Sequence, residues 1–167
     1  MNIQDPKFLA QVEQAVREAG QIFYDRTKVS HMKHKGVTDF VTEVDLSVQT
    51  FLKERLAQLA PEVQLMGEEK DNSSLDFEKP MWILDPVDGT MNLVHGFRHS
   101  AVSLALANRG QVELGLVYDP YAGELFSARR GCGAFVNGEP IHVSEAKCLA
   151  DCLVDVGTNP SEREMAD

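Results

Sequence analysis

The chain is poor in cysteine, in basic residues and in long hydrophobic runs, and each shortage narrows what it can be. Three cysteines, Cys132, Cys148 and Cys152, stand in 167 residues. An odd, sparse set in a chain without a secretory leader does not suggest a disulfide framework. Cys148 and Cys152 with His142 match no standard zinc spacing and lack a fourth ligand, so they read as small hydrophobes. Lys and Arg number 16 against 26 Asp and Glu, a net charge of −10. That balance argues against nucleic-acid binding through overall charge. Apolar stretches are short and interrupted by Gly, Asp or Asn, so no membrane span is expected. The start, Met-Asn-Ile-Gln-Asp-Pro, lacks the basic and apolar regions of a signal peptide, which makes the cytoplasm the expected compartment.

What is present is enough for one globular domain: 43% of the residues are apolar and 25% charged, and the length permits a real core. Asp5-Pro6 is a helix start, with Phe8, Leu9, Val12, Ala15, Val16, Ala19, Ile22 and Phe23 recurring at helical spacing to about Arg26. Residues 28–38 read as a loop or short hairpin with a basic cluster at Lys33, His34 and Lys35, either merely solvated or a flap over an anion, with Gly36 as the pivot. A second helix is expected from Thr42 to Ala60, stopped by Pro61, with Asp45 in its first turn. Strands follow: Val63 to Met66, Trp82 to Leu84, a hairpin of 99–108 and 112–118, Glu124 to Ala128 and Cys152 to Val156. Gly131, Gly133 and Gly138 mark turns.

The chemistry concentrates in Trp82-Ile-Leu-Asp-Pro-Val-Asp-Gly-Thr-Met-Asn92. A buried strand delivers Asp85 to its C-terminal end, and Pro86 fixes the turn. Asp88 comes three residues later, so both carboxylates can converge. Gly89 permits an unusual backbone angle, and the helix start behind Thr90 favours an anion such as phosphate. If the strand ending in Gly67-Glu68-Glu69 is its neighbour, Glu68 approaches both aspartates. Three carboxylates so close need a cation. The donors are all hard oxygens, which suits Mg²⁺ rather than Zn²⁺. A bound cation would also reconcile an acidic protein with an anionic ligand. The plainer reading is that Asp-Pro-x-Asp-Gly is a surface turn and Glu68-Glu69 a solvated pair. Against it stands the buried strand that feeds directly into Asp85.

Taken together, Gly67-Glu68-Glu69, the segment from Trp82 to Asn92, Lys35-Gly-Val-Thr-Asp-Phe-Val-Thr-Glu-Val-Asp45 and Gly131-Cys-Gly-Ala-Phe-Val-Asn-Gly138 resemble the inositol monophosphatase family in content, order and separation. The resemblance implies a layered α-β-α-β-α sandwich of the sugar-phosphatase type. Residues 1–150 would form the N-terminal α+β metal- and phosphate-binding portion, and 151–167 would begin a C-terminal α/β portion that is largely missing. In the N-terminal portion, two helices would pack on an antiparallel sheet, and the missing portion would add a second sheet. The resemblance also implies roles. Glu68, Asp85 and the Val87 carbonyl would hold one Mg²⁺, and Asp85 and Asp88 would contribute to a second. Val87, Asp88, Gly89, Thr90 and Glu68 would meet the substrate, with Gly89 and Thr90 cradling phosphate through their amides. Asp45 and Thr90, beside Glu68, would activate a water for in-line attack on phosphorus.

Family members are longer, and a Trp-Asp pair in their second half completes the second metal site. Trp82 is the only tryptophan here. The implied activity is magnesium-dependent hydrolysis of inositol monophosphate or a similar small polyol or sugar phosphate, by a protein that is homodimeric at full length. Two alternatives stand beside it: a catalytically incomplete relative that binds metal or protein, and a nucleotide or sugar bisphosphate phosphatase of the same superfamily.

Overall fold

Asp5 opens the first helix as expected, its carboxylate accepting the Lys7 amide at 2.9 Å. In the computed structural model, which describes residues 4–34, 40–68 and 71–154 (32–34 and 40 by backbone alone), α1 spans Pro6–Gly20. The helix ends at Gly20 rather than near Arg26. A β-carbon there would lie 2.6 Å from the Tyr118 ring, so the chain crosses the sheet at that point with no room for a side chain. One 3-10 turn, Gln21–Tyr24, and a short helix, α2 (Arg26–Ser30), follow. The hairpin expected over 28–38 lies later in the chain, since 28–30 belong to α2: β1 (Met32–His34) pairs antiparallel with β2 (Phe40–Thr42). Residues 35–39, with Lys35, Gly36 and Asp39, lie outside the described residues.

Next comes α3 (Glu43–Leu59), followed by seven strands in one sheet: β3 (Gln64–Gly67), β4 (Met81–Asp88), β5 (Ala101–Asn108), β6 (Gln111–Asp119), β7 (Glu124–Arg129), β8 (Gly133–Val136) and β9 (Glu139–Ile141). A six-residue helix, α4 (Thr90–His95), interrupts the run after β4. The strand order is sequential, β3 to β9. The expectation of an antiparallel sheet is corrected at one edge, where β3 and β4 are parallel. A parallel pair needs a crossover between its strands, and the polar stretch after Glu68 supplies it. The expected strand at Cys152–Val156 does not form over 152–154, and the rest of it lies outside the described residues. Alternating apolar residues make a strand only against a partner, and Leu153 is fully exposed.

Register decides which face each strand residue occupies. Trp82, Leu106 and Leu114 share one row, and Leu84, Leu104 and Leu116 the next. Both rows are buried against α1 and α3, which contribute Val12, Val16, Val48 and Leu52 to the same core. The opposite face carries Ile83, Val117, Phe126 and Ile141, each 37–41% exposed. Asp85 follows Leu84, so alternation places it on this second face, at the strand end nearest the candidate site.

Candidate active site

Four pieces of chain meet at the end of β4. The parallel register sets Gly67 beside Leu84, and the Glu68 amide donates to the Leu84 carbonyl at 3.3 Å. Glu68 therefore stands next to Asp85, the neighbourhood that the sequence reading required. Asn72 holds this corner. Its side-chain amide donates to the Gly67 carbonyl at 2.8 Å, and its oxygen accepts the Gly67 amide at 3.3 Å. Glu69 lies outside the described residues.

Beyond Asp85 the ladder to β5 slips, and pairing resumes only at Asp88. Pro86 has no N–H to give to a sheet, and a break in register is where a proline fits inside a central strand. The slip turns Asp85, Val87 and Asp88 around a tight corner. One Asp85 oxygen accepts the Val87 amide at 3.1 Å. Burial, the charges of Glu68 and Asp88, and a hydrogen bond with Glu68 push the Asp85 carboxyl up to about 7, the Val87 amide pulling the other way. Mutually repelling carboxylates in a half-buried corner are what a hard divalent cation neutralises, so the donor set fits one. Among the described residues, no three His, Cys, Asp or Glu side chains are already closed into a ligand set. The carboxylates are neighbours that would draw in around a cation.

Asp45 reaches the same corner from α3. It is 1% exposed. It completes a capping box, in which Oδ2 accepts both the amide and the hydroxyl of Thr42, while the Thr42 hydroxyl accepts the Val44 amide at 3.1 Å. The other oxygen, Oδ1, lies 3.0 Å from the Thr90 hydroxyl. That hydroxyl is also 3.0 Å from the Val87 carbonyl. Having one proton, it can donate to only one of the two at a time. A continuous chain thus runs from the Thr42 cap through Asp45 to Thr90 and the corner at Val87.

Gly89 caps α4 in the left-handed region, with φ of 84°. An added β-carbon would stand 2.9 Å from the His99 carbonyl oxygen and 3.2 Å from the Asn92 side-chain nitrogen. Gly89→Ala should therefore lose about 1–2 kcal/mol to the backbone conformation and a further increment to the clash with His99. Gly110→Ala, at φ of 73° with open space around it, bears only the first loss. Urea denaturation of both variants checks this. Equal destabilisation would mean that the tight approach at Gly89 has no consequence.

Beside the corner lies an open cleft of about 380 Å³, lined by Asp88, Gly89, Asn92, His99, Ser100, Ala101 and Asp119. The residues assigned metal, phosphate or water-activating roles from the sequence thus fall at one end of the sheet: Glu68, Asp85, Val87, Asp88, Gly89 and Thr90 around the turn, with Asp45 behind it. Thr42, Asn72, Asn92 and Ser100 were not singled out. Thr42 was legible, since Thr-x-x-Asp at a helix start is a capping pattern. The other three act across turns whose closeness no local pattern announces.

Solved structures of similar fold define the class. The suhB protein of Bartonella henselae superposes with a TM-score of 0.75 at 32% identity, over 83% of this chain and 55% of that one. An inositol monophosphatase of Thermotoga maritima does so with a TM-score of 0.72 at 34% identity, over 82% and 54%. The fold is the mixed α/β fold of inositol monophosphatase-type proteins. The chain belongs to the inositol monophosphatase family, whose model matches residues 5–165. It is 40% identical over 162 residues to inositol monophosphatase 3 of Solanum lycopersicum, covering 92% of this chain and 59% of that protein. The chain thus spans about three fifths of the length of such curated relatives. Among the described residues no helix is long and apolar enough to cross a membrane.

Proposed function

We propose that this chain carries the metal- and phosphate-binding portion of a Mg²⁺-dependent phosphomonoesterase acting on inositol monophosphate or a similar small polyol or sugar phosphate. The observation that supports it most is the convergence of the Thr42–Asp45–Thr90 hydrogen-bond chain with Glu68, Asp85 and Asp88 at one corner. A structural turn has no use for a buried carboxylate aimed at a hydroxyl beside three further acids.

Glu68, Asp85, Asp88 and the Val87 carbonyl would hold the cation, which supplies charge neutralisation for the phosphate and its leaving oxygen. The amides of Gly89 and Thr90 bind and orient the phosphoryl oxygens. Thr90 donates its proton to Asp45, leaving an oxygen lone pair to accept a proton from the attacking water. As that proton passes to Thr90, the Thr90 proton passes to Asp45. The water oxygen bonds to phosphorus, and the ester oxygen leaves on the opposite side with its electron pair. Glu68 would help hold the cation and, beside Asp45 and Thr90, help orient the attacking water. The cytoplasm and a homodimeric full-length protein remain part of this proposal.

The test is phosphate release from inositol 1-phosphate across a Mg²⁺ titration, by this chain completed with the Trp-Asp-bearing half that longer family members carry, with Asp88→Asn as control. The expected result is Mg²⁺-dependent release that falls by a factor on the order of 10² or more in the variant, since a ligand that bears charge in the transition state is lost. Equal release by both proteins would remove Asp88 from the site.

A further inference from the structure

We infer that Ser100 is a positioning residue for the phosphate-facing turn, an inference that rests on the function proposed above. Among the described residues only three polar side chains are buried: Thr42, Asp45 and Ser100. The first two belong to the hydrogen-bond chain behind Thr90. The third, 5% exposed, donates its hydroxyl to the Gly89 carbonyl at 2.8 Å. Asp45 and Ser100 are thus both directed at one short turn, and Thr42 holds Asp45 in place. A buried hydroxyl spent on a loop carbonyl is a device for holding that carbonyl still.

The consequence follows from the planarity of the peptide. In the trans unit joining Gly89 to Thr90, the carbonyl and the N–H point in opposite directions. The Gly89 oxygen accepts the Ser100 hydroxyl and, at 3.1 Å, the Leu93 amide. Both lone pairs are engaged, so the oxygen is drawn inward and the Thr90 amide is turned the other way. The Leu93 bond belongs to α4 and moves with it. Ser100 instead immediately precedes β5, which is paired on both sides within the sheet. It is therefore the link that ties the turn to a rigid frame. A second strap beside it, the Asn92 side-chain amide to the His99 carbonyl at 2.7 Å, keeps the two segments together. Gly89 allows this approach, since a β-carbon there would already be 3.5 Å from the Ser100 oxygen and closer still to His99.

Ser100→Ala leaves the fold, the carboxylates and the cleft in place but frees one side of the Gly89–Thr90 peptide. Binding of inorganic phosphate to the chain in saturating Mg²⁺, followed by calorimetry, should weaken about threefold to tenfold, the equivalent of one ordinary hydrogen bond. Mg²⁺ affinity should stay at its wild-type value, and hydrogen exchange of the amides from Gly89 to Met91 should speed up. Ser100→Thr, which restores a hydroxyl, should recover phosphate binding. Equal phosphate affinity in wild type and Ser100→Ala overturns the positioning role alone. So does a parallel loss of Mg²⁺ affinity, which would mark general loosening. Failure of the wild-type chain itself to take up phosphate in Mg²⁺ overturns the phosphate reading of the turn, and the role of Ser100 with it.

Discussion

Asp45→Asn should leave the protein folded and stop phosphate release, whereas Asp45→Ala should damage the fold itself. The carboxylate receives the Thr42 amide and the Thr42 hydroxyl on one oxygen and faces the Thr90 hydroxyl with the other. An asparagine can keep its oxygen toward Thr42, whose amide cannot turn away. Its NH₂ group then faces Thr90. The Thr90 hydroxyl accommodates this by accepting from the amide and donating to the Val87 carbonyl, already 3.0 Å away. Each buried group keeps a partner, so the loss in stability is confined to the charge-assisted part of the bonds, about 1–2 kcal/mol. Chemistry fares worse. The Thr90 lone pair that would accept the water proton is occupied, and an amide cannot take the proton onward. Loss of a general base lowers turnover by roughly 10²–10⁴.

Alanine at 45 instead removes the capping box and strands the buried Thr42 amide, for a combined loss of about 2–4 kcal/mol. Urea denaturation and phosphate release on both variants separate the two outcomes. An Asp45→Asn protein that releases phosphate at the wild-type rate would remove Asp45 from the reaction and leave it a helix cap.

The legible part of this protein is that in which local chemistry and tertiary position agree. Asp5-Pro6 and Thr42-x-x-Asp45 start helices because their side chains satisfy amides two or three residues away, and such interactions are written in adjacent letters. The acidic corner was legible because a buried strand had to end where its polar residues begin. The end of α1 was not. Nothing near Gly20 in the sequence names Tyr118, whose ring lies where a side chain at position 20 would stand. The parallel pairing of β3 with β4 was missed for a related reason: hydrophobic runs of this length carry no sign of direction. The strands β8 and β9 were hidden behind glycines that read as turns, and glycines at 131, 133 and 138 do have positive φ. Yet the four-residue strand that starts at Gly133 and the three-residue strand after Gly138 pair with β7 and with each other. The supports of the site were the least visible. Asn72, Asn92 and Ser100 each act on backbone five to eleven residues away, across loops whose closure the whole fold decides.

The metal-free chain should lose stability as pH rises from about 4 to about 7 through a contribution that Asp85→Asn abolishes. In the fold the Asp85 carboxyl is pushed up to about 7 from its ordinary value of 3.8, because burial and the charges of Glu68 and Asp88 oppose its ionisation. A raised carboxyl means that the folded state binds the proton more tightly than the unfolded chain does. The stabilisation this group gives is fully present below the unfolded value. It declines as pH climbs through the window and is gone above the folded value. Divalent cation reverses the slope. Proton and cation compete for the same oxygens, so Mg²⁺ has to displace the proton at pH 6 and meets open carboxylates at pH 8. Stabilisation by a ligand grows with its concentration relative to its dissociation constant, and the rise in melting temperature with Mg²⁺ should therefore be larger at pH 8 than at pH 6. Thermal melts of wild type and Asp85→Asn, with chelator and with Mg²⁺, make the comparison. Subtracting the variant cancels distant titrating groups and leaves the contribution of Asp85 together with its interaction with Glu68 and Asp88. If the two proteins follow parallel curves from pH 4 to 8 without metal, Asp85 is not held protonated by its neighbours. If Mg²⁺ then stabilises both equally, the three acids are not the cation site, and the corner at the end of β4 is a turn.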